Sequence, residues 1–86
     1  MKVWKFRLGR PLADHLTTVE MPEGAVTLSV AAIGTGIFVW AVCDPTMHPV
    51  TRTFLVVGTG VAFEWAGSFV GSVVMDDGLV WHVWET

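Results

Sequence analysis

Ala25-Val-Thr-Leu-Ser-Val-Ala-Ala-Ile-Gly-Thr-Gly-Ile-Phe-Val-Trp-Ala-Val-Cys43 runs for 19 residues without a charge, and its reading decides the fold. Its length meets the requirement of a membrane-spanning helix. Its centre does not, because Gly34-Thr35-Gly36 is a turn signal between two segments, Val26–Ile33 and Ile37–Cys43. Val, Ile and Thr supply 26 of the 86 residues, a β-branched load that favours strands over helices. Two later uncharged runs, Thr53–Phe63 and Trp65–Met75, are each too short to span. Joining them would set Glu64 in mid-bilayer at high cost. The stretch predicts a hairpin and no membrane partner.

Outward from the hairpin, strand signals separated by turn chemistry recur. Lys2–Leu8 alternates, with Trp4, Phe6 and Leu8 on one side and Lys5 and Arg7 on the other, as in a half-buried strand. Thr17–Met21 is a short strand closed by Pro22-Glu23-Gly24. Asp44–Pro49 holds two prolines and reads as a loop, and Arg52–Val57 leads into Gly58-Thr59-Gly60. Val61–Gly67 reads either as an irregular loop carrying Phe63 and Trp65 or as one helical turn. Ser68–Met75 and Leu79–Glu85 form a second hairpin across Asp76-Asp77-Gly78. The expectation is a single all-β domain over residues 1–86, a compact antiparallel sandwich or small barrel of about seven short strands.

Composition narrows the function classes. Hydrophobic residues make up 52% and charged residues 15%, against about 25% charged in ordinary domains, so a disordered chain is excluded. No Asn, Gln or Tyr occurs, which leaves few adaptable polar side chains for reading bases or sugars. The net charge is −3, yet four of the five cations, Lys2, Lys5, Arg7 and Arg10, lie in the first ten residues. They form a candidate basic face, either for an acidic partner or as lysines that keep an edge strand from aggregating. A nucleic-acid surface is not expected, because alternation turns Trp4 and Phe6 away from Lys5 and Arg7. Cys43 is the only cysteine, which excludes an intrachain disulfide and suits a reducing compartment. Charges interrupt any apolar leader before Leu16. A cytoplasmic location is the expectation.

The candidate chemistry is thin. Cys43, Asp44 and His48 surround one loop, with His15 and His82 elsewhere, but paired zinc spacings are missing, so no metal is expected. His82 lies in an apolar strand with no Ser, Cys or acid placed by spacing to complete a triad, and reads as a cross-strand histidine with satisfied nitrogens. Adjacent Asp76 and Asp77 serve a turn. Gly58-Thr59-Gly60 lacks the Lys-Ser/Thr ending and the helix of a phosphate loop, which leaves only a small anion nest. Neither a catalytic residue nor a cofactor is expected.

Several motifs in order carry a resemblance. These are Lys2-Val3-Trp4-Lys5-Phe6, Glu20-Met21-Pro22-Glu23-Gly24-Ala25, Leu28-Ser29-Val30, Trp40-Ala41 with Asp44-Pro45, and Arg52-Thr53-Phe54. Val57-Gly58-Thr59-Gly60 and Leu79-Val80-Trp81-His82-Val83-Trp84-Glu85 complete the set. Nearly end to end, the chain resembles a family of short proteins encoded by tailed phages, prophages and some bacteria, known as a domain of unknown function. Similar members often carry polar residues at the positions of Ala31–Gly36, which further weakens a membrane reading. Many place a histidine after Gly-Thr-Gly; Val61 stands there, so no role for that histidine transfers. The resemblance implies a phage context and no known activity.

Two strands are apolar on both faces: Ile37, Val39 and Ala41 oppose Phe38, Trp40 and Val42, while Leu79, Trp81 and Val83 oppose Val80, His82 and Trp84. Such strands need cover on both sides, from a second copy, from another protein or from a tightly coiled sheet that covers itself. The expected surface for contact is therefore Phe38, Trp40, Phe63, Trp65 and Trp84, on the two hairpins and the Phe63–Trp65 loop rather than on the basic strand. Self-association follows, as does a non-catalytic role through another protein: a host or defence protein that is blocked, or a virion component that is decorated. A small-ligand-binding or enzymatic domain is the third reading.

Overall fold

The computed structural model describes all 86 residues as seven strands: β1 (Lys2–Leu8), β2 (Leu16–Pro22), β3 (Val26–Ile33), β4 (Gly36–Cys43), β5 (Pro49–Gly58), β6 (Ser68–Val74) and β7 (Val80–Glu85). They form two antiparallel sheets, ordered β1-β4-β3 and β2-β5-β7-β6. No strand pairing joins the sheets, so the architecture is a sandwich rather than a barrel. In the sandwich β1 lies over β2 and β3 over β6. A radius of gyration of 12.7 Å is close to the roughly 12 Å of a compact chain this long. None of the elements is a helix long and apolar enough to cross a membrane.

Alternation accounts for the core. Leu8, Val39, Ala41 and Cys43 of the first sheet meet Met21, Phe54, Val56 and Val83 of the second in one buried cluster, with Phe6, Val30 and Trp81 packed against it. Gly71 lets the sheets close at the β3–β6 edge, because a Cβ there would stand 2.8 Å from Val30 Cγ1. Where the sheets meet at solvent, Arg52 is held between Glu85 (Nε to Oε2, 2.5 Å) and the Ala25 carbonyl (2.8 Å), while Thr27 Oγ1 donates to Glu85 Oε1 at 2.7 Å. One half-buried charge pair thereby ties β3, β5 and β7 together.

Boundaries shift where pairing overrides turn chemistry. The β3–β4 turn tightens to Gly34-Thr35, because Gly36 pairs with Ile33. Residues 44–49 are not all loop: β5 begins at Pro49, which faces Pro22 at the end of the β2–β5 ladder, where a missing N–H costs least. Leu79 falls outside β7. Residues 61–66 contain no helical turn.

Candidate interaction surfaces

Register, not sequence neighbourhood, builds the outer face of the first sheet. Three rows cross it: Val3–Val42–Val26, Lys5–Trp40–Ser29 and Arg7–Phe38–Ala31. The Lys5 ammonium lies 5.1 Å and the Arg7 guanidinium 5.9 Å from the centre of the Phe38 ring. Their aliphatic stems leave Phe38 and Trp40 only half-buried, as expected when long basic side chains lie along apolar surface. β1, β3 and β4 contain no carboxylate. The molecule's contacts between basic and acidic side chains are Arg52–Glu85 and His48–Glu23, so Lys5 and Arg7 have no acidic neighbour within ion-pair range.

The other two members of the basic group lie elsewhere. Lys2 is on the Trp4–Phe6–Leu8 side of β1, opposite Cys43. Arg10 follows the strand and lines a cleft at one end of the sandwich.

On the outer face of the second sheet the chain covers itself. Leu55 and Val57, whose register partners are Trp84 and His82, are 3% and 1% exposed although they point away from the central cluster. The β5–β6 connection folds back so that Phe63 lies 5.2 Å from Trp84 between ring centres. Phe69, the cross-strand partner of Trp84, lies 5.3 Å from it between ring centres. Gly67 makes the return possible: its φ is +79°, and a Cβ would run into the Glu85 carbonyl. Trp65, in the same connection, remains 73% exposed. The expected contact aromatics are thus split. Phe38 and Trp40 occupy one outer face, while Phe63 and Trp84 occupy the opposite one.

Next to this cluster His82 has both ring nitrogens engaged, Nδ1 with Ser72 Oγ at 2.7 Å and Nε2 with Thr59 Oγ1 at 2.8 Å. Spacing hid both partners. Ser72 reaches His82 through hairpin register, and Thr59 through the β5–β7 pairing. No carboxylate joins the set, so the ring is clamped between two hydroxyls.

The remaining sites disperse. Cys43 is buried in the core. Asp44 accepts from the Thr46 hydroxyl (2.7 Å) and amide (3.0 Å), bonds that hold its carboxyl below the usual range. His48 turns to Glu23 at 2.7 Å. No three His, Cys, Asp or Glu side chains converge as metal ligands. In Gly58-Thr59-Gly60 the Thr59 amide donates to Val80 O, and the following Val61 amide donates to Gly58 O. Neither is free for an anion.

All 86 residues match the model of one family, described as a domain of unknown function (DUF7352). No curated protein and no solved structure is detectably similar.

Proposed function

The chain belongs to the DUF7352 family, whose description carries no activity, and from its surface we propose a small, non-catalytic contact protein whose β1-β4-β3 outer face docks on an acidic protein. One observation carries this reading: a three-stranded face without carboxylates, with Lys5 and Arg7 unpaired above Phe38 and beside Trp40, on a chain of net charge −3. Cations over half-buried aromatics supply steering and a desolvated centre together. The hydroxyl clamp on His82 supports a structural rather than a catalytic histidine. The resemblance to short phage and prophage proteins makes the setting a host-cell cytoplasm and the partner a host or defence protein that is blocked.

Self-association belongs to the same reading. Edge strands β3 and β6 carry no charge, whereas edges β1 and β2 carry Lys2, Lys5, Arg7 and Glu20, the usual protection against edge pairing. A second copy meets no like charge along β3. That uncharged edge also favours the second reading, a virion protein that decorates or cements a capsid or tail by repeated pairing.

The test is capture from phage-infected host cells with immobilised protein, identified by mass spectrometry. A defined partner is expected, lost with Lys5→Glu or Trp40→Ala and weakened by added salt. Capture insensitive to both substitutions but lost with Trp65→Ala would move the contact to the opposite side. Turnover of a substrate dependent on His82 would overturn the non-catalytic reading.

A further inference from the structure

The open end of the sandwich holds a cleft of about 600 Å³, within the range of small-molecule sites. Leu8, Ile37, Val56 and Trp81 supply apolar lining, and Arg7, Arg10 and His15 supply its basic side chains. No Asp or Glu lines it, although acids outnumber cations eight to five in the chain. Neither arginine belongs to an ion pair, and His15 has no carboxylate in range.

A second observation concerns the backbone. His15 is the one non-glycine residue in the left-handed region, with φ at +67°. Its amide donates to Leu12 O and its carbonyl accepts from Val56 N, each at 2.9 Å, while Asp14 caps the Leu16 amide at 3.1 Å. A strained conformation held from both sides sets the residue at the cleft. In the Gly58-Thr59-Gly60 turn, which borders the cleft at Gly58, the Thr59 amide is already bonded to Val80 O and the following Val61 amide to Gly58 O.

We infer that this cleft binds a small amphipathic anion, a phosphate or carboxylate carried on an apolar body. Arg7 and Arg10 would hold the anionic group and the Leu8–Ile37–Trp81 lining would hold the body. A guanidinium donates in a planar fork that suits either oxyanion. A free small molecule and the carboxylate end of an apolar peptide share this chemistry.

Arg7 belongs to both the cleft and the docking face, but the two are told apart by Arg10, which lies only at the cleft, and Lys5, which lies only on the face. Titration of the ¹⁵N-labelled chain with phenyl phosphate, inorganic phosphate, phenol and a short peptide ending in Phe tests it by amide and indole shifts. Phenyl phosphate or the peptide is expected to saturate, moving Arg10, His15, Gly36 and the Trp81 indole, with the tighter of the two naming the source. Inorganic phosphate and phenol should each bind at least tenfold more weakly. Arg10→Gln should weaken binding severalfold without moving Tm, and Lys5→Gln should not. Equal binding of phenol would overturn the anionic part. Non-saturating shifts, shifts centred on Lys5 and Trp40, or indifference to Arg10→Gln would overturn the site.

Discussion

On the β5–β7 side, Phe63 and Phe69 both pack on Trp84, and Leu55 and Val57 are as inaccessible as the central core. On the β1-β4-β3 side Phe38 lies under Lys5 and Arg7, and Trp40 lies opposite Lys5 across the strand pair. Both outer faces present a Trp flanked by apolar residues. The difference is what packs on them: Phe63 of the β5–β6 connection on one side and two flexible cations on the other. Cover by chain stabilises the fold, whereas cover by solvated cations leaves the face able to exchange them for a partner.

The largest expected effect tests that division. Trp84→Ala removes the half-buried ring on which Phe63 and Phe69 pack, and should cost about 2–3 kcal/mol in urea unfolding. Trp40→Ala, on the thinly covered face, should cost only about 1–2 kcal/mol. Equal losses would erase the distinction between a second core and a contact face. Gly67→Ala comes next: its Cβ meets the Glu85 carbonyl in a left-handed conformation, for about 2 kcal/mol. Amide exchange through Thr59–Gly67 should accelerate. An unchanged exchange pattern would show that Gly67 does not set the loop.

Smaller effects sharpen the comparison. His82→Ala breaks two hydrogen bonds whose hydroxyls remain within reach of water, and should cost about 1 kcal/mol. A loss well above that would mean the histidine supports the covered face more than its two bonds suggest. Lys5→Ala should change stability least, by less than about 1 kcal/mol, while weakening association in a salt-dependent way. If its stability loss matched that of Trp84→Ala, the cations would be structural cover and the docking face would lose its argument.

Much of the strand framework was legible because alternation and turn residues are local. Lys2–Leu8 follows from the spacing of apolar side chains, and Val26–Ile33 and Asp76-Asp77-Gly78 from turn chemistry. The misjudged places are those where a partner strand overrules local preference. Pro49 enters β5 because it sits at the end of a ladder, and Gly36 enters β4 because Ile33 is opposite. The surfaces were less legible. Lys5 and Trp40 are 35 residues apart in sequence but cross-strand neighbours, and Ser72 meets His82 only after the hairpin register is set.

By itself the sequence determined that this chain forms short strands, which side chains point together along a regular strand such as β1, and that the cations cluster in the first ten residues. Those properties depend on the two-residue period of a strand and on φ/ψ preferences, which act over a few residues. Only the tertiary structure decided that β1 pairs with β4 rather than β2, that the aromatics divide between opposite faces, and that Arg7, Arg10 and His15 surround one cleft. Pairing between distant strands is selected by how well whole sheets bury their inner faces against each other. That choice depends on all seven strands together, so no local stretch encodes it.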